Sequence, residues 1–150
     1  MAEIRFYHAQ TRSAEEVLPD LLSKALQRNL RVACKFADEE RMAYYDNYLW
    51  RYQPQSFLPH GTVHDGQAIH QPVLLTTEDH AANAAKTMMV LENATLPEQH
   101  DFDLLCLVFD GHDPLQIQQA RQQWARLKEQ NDMTLSYWQQ QENGQWINKA

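Results

Sequence analysis

Segments with the residue types of β-strands alternate along this chain with segments that have helical periodicity. Residues 4–8 are rich in β-branched and aromatic side chains and predict a first strand. Ser13 and Glu16 have the spacing of a capping box, and apolar residues then recur at helical intervals, which predicts a helix to about Arg28. Pro19 lies inside this segment and predicts either a kink or a helix that begins at Pro19 itself.

The same order continues beyond the first helix. Residues 31–37 predict a second strand, and Asp38 is placed to cap a second helix that runs to about Trp50. Such an order indicates a right-handed crossover and parallel strands within an α/β sheet. The remaining predicted segments are a loop over 52–72, strands over 73–77, 86–92, 104–109 and 133–138, a helix from Asp113 to about Asn131, and a polar tail.

Composition limits the class of protein. The chain has 150 residues, 43% of them hydrophobic and 22% charged, which is typical of one globular domain spanning residues 1–150. Its apolar runs are too short to cross a membrane, its start lacks the pattern of a secretory signal, and two cysteines cannot form a disulfide framework, so we expect a cytoplasmic protein. The formal net charge of -7 disfavours direct binding to nucleic acid and predicts that any contact with DNA is indirect.

Glycine usage argues against a nucleotide site. None of the four glycines (Gly61, Gly66, Gly111 and Gly144) follows the first strand, and no phosphate-binding fingerprint can be written from them. We therefore expect an α/β sheet without a nucleotide-binding loop and without a nucleotide cofactor. A thiol nucleophile formed by Cys34 with His8 is a weak alternative, because both residues lie on predicted inner strands.

Histidines provide the best case for an enzyme. His60, His64 and His70, with Asp65 between them, occupy one predicted loop and have the residue types of a metal site with an open position. The alternative function is therefore a small metal-dependent hydrolase that uses this loop. Against it, loops collect polar residues for other reasons, and Gly61 makes a helical ligand spacing improbable here.

The helix that follows Asp113 combines an apolar stripe with positive charge. Its stripe (Ile117, Ala120, Trp124 and Leu127) is predicted to face the sheet. The cations Arg121, Arg126 and Lys128 flank the stripe, and a Trp beside guanidinium groups is suited to an acidic peptide with an aromatic end. The alternative is that Trp124 belongs to the core and the charges are solvated.

A second candidate surface lies where the second helix ends. Trp50 closes that helix, and Phe57 follows in a loop bounded by prolines. These aromatic residues either complete the core or form an exposed apolar patch of the kind that marks an interface.

These residues resemble the chi subunit family of bacterial DNA polymerase III. Leu49 and Trp50, followed by the run 56–60 (Ser-Phe-Leu-Pro-His), are similar to the most specific motif of that family. The opening strand, the helix that contains Ala120 and Arg121, and the last strand with Trp138 also match, so the resemblance spans nearly the whole chain.

The resemblance implies a single-domain, Rossmann-like mixed β-sheet flanked by helices, and a non-catalytic adaptor of the clamp-loader complex. It implies that Trp50 and Phe57 bind the psi subunit or a helicase-like partner. It also implies that Arg121 and Trp124 bind the acidic, Phe-terminated C-terminal tail of single-stranded DNA-binding protein. Ala125 stands where the family has a Lys, a gap in the charge that Arg126 or Lys128 would fill.

Overall fold

The computed structural model describes residues 2–51, 59–130 and 133–149. Within these residues the strands are β1 (Ala2–Ala9), β2 (Val32–Lys35), β3 (Gly61–Thr62), β4 (Val73–Thr76), β5 (Thr87–Leu91), β6 (Leu104–Asp110), β7 (Met133–Gln140) and β8 (Trp146–Asn148). The α-helices are α1 (Ala14–Gln27), α2 (Glu39–Arg51) and α3 (Pro114–Lys128), with a short 3-10 helix at Ala68–His70.

The described strands form one sheet in the order β3-β4-β2-β5-β6-β1-β7-β8. Its pairs are parallel except for β7 with β8, which are antiparallel. Strand β6 lies between β5 and β1 and carries the longest apolar run. Its residues 105–109 are all buried, as expected for a central parallel strand covered on both faces. The predicted α/β fold with a mixed sheet is confirmed.

Helices cover both faces of the sheet. On the first face, α1 and α2 pack through residues such as Leu18, Leu22 and Tyr45. On the second face, α3 packs through Ala120 and Leu127. The segment between β5 and β6 contributes buried apolar side chains to this second core. The sheet therefore has a separate apolar core on each of its two faces.

The helix starts follow the predicted caps. The backbone N–H of Glu16 donates to Oγ of Ser13 at 3.2 Å, and the N–H of Ser13 donates to the Glu16 carboxylate at 3.1 Å. Asp38 accepts from the N–H of Arg41 at 2.8 Å, and Asp113 accepts from the N–H of Leu115 at 3.0 Å. These side chains satisfy backbone donors that the first helical turn leaves without partners.

Helix α1 begins at Ala14, where the capping box predicts it, and runs through Pro19, because the capping box and the buried apolar face outweigh the donor that proline lacks. The alternative start at Pro19 is therefore wrong, and so are two later predictions. Helix α3 ends at Lys128, short of Asn131. The expected polar tail contains β8, which returns along β7 after a turn in which Gly144 has a φ of 87°.

Candidate functional site

A groove of about 570 Å³ runs along the exposed flank of α3. Its apolar surface comes from Pro114, Ile117 and Ala125, which succeed one another at helical spacing, and Arg121 lies between them. Gly111 closes the end of the groove nearest to β6. An apolar channel with one guanidinium group beside it can hold an apolar side chain and an adjacent carboxylate together.

Trp124 lies three residues after Arg121 on α3 and is partly buried against the second core. Its ring stands edge-on to Phe6, with ring centres 5.2 Å apart, and edge-on to Tyr137 at 5.7 Å. The ammonium group of Lys128 lies 5.8 Å from the centre of the indole, within the range of a cation–π contact. Trp124 thus packs against the core while part of its ring stays exposed, and its role in binding a ligand stays a prediction.

The predicted cations lie on different sides of α3. Arg126 follows Arg121 by about 140° around the helix, and its guanidinium lies 3.9 Å from the carboxylate of Glu98 rather than beside the groove. Ala125 does line the groove. Around α3, Trp124 and Lys128 lie within about 60° of Arg121, whereas Arg126 lies on the other flank. Of these four residues, Arg121 lines the groove.

Behind the groove lie Tyr137 and Phe109, which were not singled out from the sequence, and His8, which was considered only as a partner of Cys34. Nδ1 of His8 shares a hydrogen bond of 2.7 Å with the Tyr137 hydroxyl, and the His8 ring stacks on Phe109. Burial lowers the pKa of His8, and the positive charge of Arg121 lowers it further. A Cβ at Gly111 would lie 2.5 Å from Nε2 of His8, so only glycine permits this approach. In the sequence, the groove is indicated by Ile117, Arg121 and Ala125, which follow one another at i, i+4 spacing and so lie on one side of the helix.

The surface at the end of α2 contains Trp50, whose side chain is half exposed. Its ring centre lies 4.2 Å from that of buried His60, which follows 10 residues later. Earlier in the helix, exposed Tyr44 stacks with Tyr48 at 6.4 Å and carries the Arg41 guanidinium 4.6 Å above its ring. Phe57, the second residue predicted for this surface, lies outside the described residues. Trp50 is thus partly exposed, as an interface residue needs to be.

The structure does not bring the proposed metal-binding histidines together. His60 is buried and points to Asp46, with Nε2 3.1 Å from Oδ1, whereas exposed His64 pairs with Glu39 at 2.9 Å. His70 ends the 3-10 helix, and Asp65 accepts a hydrogen bond from the N–H of Thr62. In residues 2–51, 59–130 and 133–149, no three His, Cys, Asp or Glu side chains are placed to hold one metal ion. The predicted metal site is wrong for this part of the chain, because His60, His64 and Asp65 have separate partners.

The thiol alternative is also wrong. Cys34 on β2 and His8 on β1 are separated by β5 and β6, so the imidazole cannot take the thiol proton. Burial raises the pKa of Cys34, and it raises the pKa of Cys106 to about 12. Both thiols are buried and protonated near neutral pH, as expected of small apolar core residues.

Membrane insertion finds no support in the described helices, none of which is both long and apolar enough to span a bilayer.

Known proteins match this chain over much of its length. The family model described as "DNA polymerase III chi subunit, HolC" matches residues 1–134. A curated protein of Rickettsia prowazekii (strain Madrid E), named "Probable DNA polymerase III subunit chi", is 24% identical over 91 residues. This match covers 61% of the chain and 55% of the relative, so the aligned part spans little more than half of the relative's length.

Proposed function

Because this chain belongs to the DNA polymerase III chi subunit family, we propose that it is a non-catalytic accessory subunit of the bacterial clamp-loader complex. Its role in DNA replication is that of a cytoplasmic adaptor, which connects the polymerase assembly to single-stranded DNA-binding protein through the acidic C-terminal tail of that protein. The observation that carries this proposal is the apolar groove along α3 with Arg121 beside it.

The chemistry of the groove matches such a tail. The terminal Phe side chain would lie on the apolar surface formed by Ile117 and Ala125, where its burial is favourable. Its terminal carboxylate would pair with Arg121, whose planar guanidinium can donate two parallel hydrogen bonds. Lys128, held over the Trp124 ring, would face the acidic residues that precede the Phe. Arg126 lies on the other flank, so we assign it a weaker, longer-range contribution.

A second protein partner would bind at the end of α2. We assign Trp50 and Phe57 to the contact with the psi subunit or with a helicase-like protein. Half-exposed aromatic residues are frequent energetic centres of protein interfaces, which supports this assignment for Trp50. Contact with DNA would be indirect, because a formal net charge of -7 repels phosphates in general.

Calorimetric titration with a peptide that ends in acidic residues, Pro and Phe tests the tail site. We expect micromolar affinity, about -8 kcal/mol, that weakens as salt is added. Arg121→Ala should weaken binding by at least about tenfold, since it removes the partner of the terminal carboxylate.

Arg126→Ala is the matched control, because it removes the same charge from the opposite flank of α3 and should weaken binding much less. Absence of heat with the wild-type protein, or equal losses in the two variants, would contradict the assignment of the tail to the α3 groove.

A further inference from the structure

A separate cavity of about 260 Å³ lies beside the last turns of α1, on the sheet face that α1 covers. Its surface is mainly apolar and aromatic, and Tyr7, Trp138 and Trp146 form one wall. The Trp146 ring stands edge-on to Tyr7, with ring centres 5.0 Å apart, and Trp138 stacks with Tyr7 at 6.3 Å. These contacts hold the aromatic wall in place without any occupant.

Positive charge surrounds this cavity. Its described lining residues include Arg5, Lys24 and Arg28 but no carboxylate. Arg5 is held in place by Glu3, at 2.7 Å, and by the Tyr7 hydroxyl, at 3.3 Å, so Glu3 already balances its charge. Lys24 and Arg28 form no ion pair with any carboxylate in the described parts of the chain. In a protein of net charge -7, two unbalanced cations beside an aromatic wall select for an acidic ligand.

The end of α1 builds the rim of this cavity. Asn29 has a left-handed φ of 59°, its N–H donates to the Leu26 carbonyl at 3.0 Å, and the N–H of Leu30 donates to the Ala25 carbonyl at 3.1 Å. This is the pattern of a Schellman motif, which turns the chain back over the helix end and places Leu30 on the rim. The exposed side chains of Lys24 and Arg28 carry positive charge at this opening.

We propose that this cavity is a second docking site, which binds one aromatic side chain of an acidic segment in a partner protein. The flanking carboxylates of that segment pair with Lys24 and Arg28, and the aromatic ring packs against Trp138 and Trp146. The volume of about 260 Å³ is slightly below the roughly 300–1,000 Å³ of sites that enclose whole small molecules, which favours a single side chain as the occupant.

This site is independent of the proposed tail site. The cavity lies on the sheet face covered by α1, whereas the groove lies on α3, which packs against the opposite face. Binding at one therefore neither requires nor blocks binding at the other.

The four tryptophans allow a direct test, because each lies in an identified region. The probe is a blocked peptide with a central Phe and two Asp on each side, titrated into the 15N-labelled protein and followed by the indole N–H signals. Single Trp→Phe variants assign these signals. We expect saturable shifts of the Trp138 and Trp146 signals, with Trp124 and Trp50 unchanged. Replacing the Phe of the probe by Ala, or its Asp residues by Asn, should weaken binding by at least about tenfold.

Lys24 and Arg28 have exposed side chains, so substitutions at these positions test the charge requirement of the cavity. The double variant Lys24→Gln and Arg28→Gln should bind the probe at least about tenfold more weakly, with unchanged circular dichroism. Arg121→Ala should bind it as the wild type does.

Shifts confined to Trp124 or Trp50, no shift up to about 1 mM probe, or equal affinity in the Gln variant would overturn the proposal. Tighter binding of free phenylacetate than of the peptide would also overturn it, in favour of a small-molecule site.

Discussion

Nδ1 of His8 lies 2.7 Å from the hydroxyl oxygen of Tyr137, and this hydrogen bond joins two strands directly behind the α3 groove. Burial lowers the pKa of His8 in the folded protein. Arg121 and His112 lower it as well, whereas Asp110 acts in the opposite direction. A neutral imidazole therefore faces the core side of the proposed tail site near neutral pH.

The lowered pKa predicts that the protein loses stability in mild acid. Below the ordinary His pKa of about 6.5 the unfolded chain binds a proton that folded His8 does not, so the free energy of unfolding falls as pH decreases. The loss continues until the pH reaches the folded pKa. His8→Asn should reduce this dependence, as measured by urea midpoints at pH 7.5 and 5.5. His70→Gln, at an exposed position, should retain the wild-type dependence. Equal dependence in the wild type and His8→Asn would contradict the prediction.

Gly111 is predicted to be intolerant of a side chain because of contact rather than backbone conformation. A Cβ there would lie 2.6 Å from the Ala9 carbonyl oxygen and 2.7 Å from Cδ2 of His8. Gly111→Ala should lower the free energy of unfolding by about 1–3 kcal/mol and shift the imidazole NMR signals of His8. Gly144→Ala is the control, because Gly144 has a positive φ but nothing near its Cβ position. It should cost stability without moving the His8 signals.

The sequence predicted the caps and the buried strands because both depend on neighbouring residues. Ser13 with Glu16 is a local signal, and it correctly located the start of α1. Strand β8 was missed because Trp146 and Ile147 follow a run of Gln, Glu and Asn that has the composition of a tail. The turn at Gly144 was the available signal for that hairpin.

Prediction of the site was limited by three-dimensional placement. The sequence identified Arg121 and Trp124 correctly as neighbours on one helix. It could not assign sides to the cations, since Arg126 is close to Arg121 along the chain but about 140° away around α3. It also could not place Arg5 near Trp146, because only the pairing of β1 with β7 and of β7 with β8 brings them together.

Lys35 is predicted to stabilise the carboxyl end of the sheet. Its buried ammonium group donates to the Asp79 carboxylate and to the Thr95 carbonyl oxygen at 2.7 Å, which links the segments after β4 and β5. Lys35→Met keeps the apolar stem but leaves these acceptors without their donor, so the free energy of unfolding should fall by about 1–3 kcal/mol.

The control for Lys35 is Lys86→Met, which removes an exposed ion pair with Asp101. An exposed pair of this kind contributes at most about 1 kcal/mol, and the urea midpoint should move much less than in Lys35→Met. Equal shifts in the two variants would show that burial of Lys35 has no special effect on stability.

Ala125 is predicted to limit the affinity of the α3 groove for an acidic tail. Its side chain lines the groove one helical turn after Arg121, where a longer cationic side chain would reach the same ligand. Ala125→Lys should increase the affinity for the acidic, Phe-terminated peptide by up to about fivefold, which corresponds to an exposed ion pair of at most about 1 kcal/mol. The gain should diminish at high salt because the added charge is exposed. Ala125→Gln supplies similar length without charge and should give no salt-dependent gain. Equal affinities of the Lys and Gln variants in calorimetric titrations would show that missing charge is not what limits this groove.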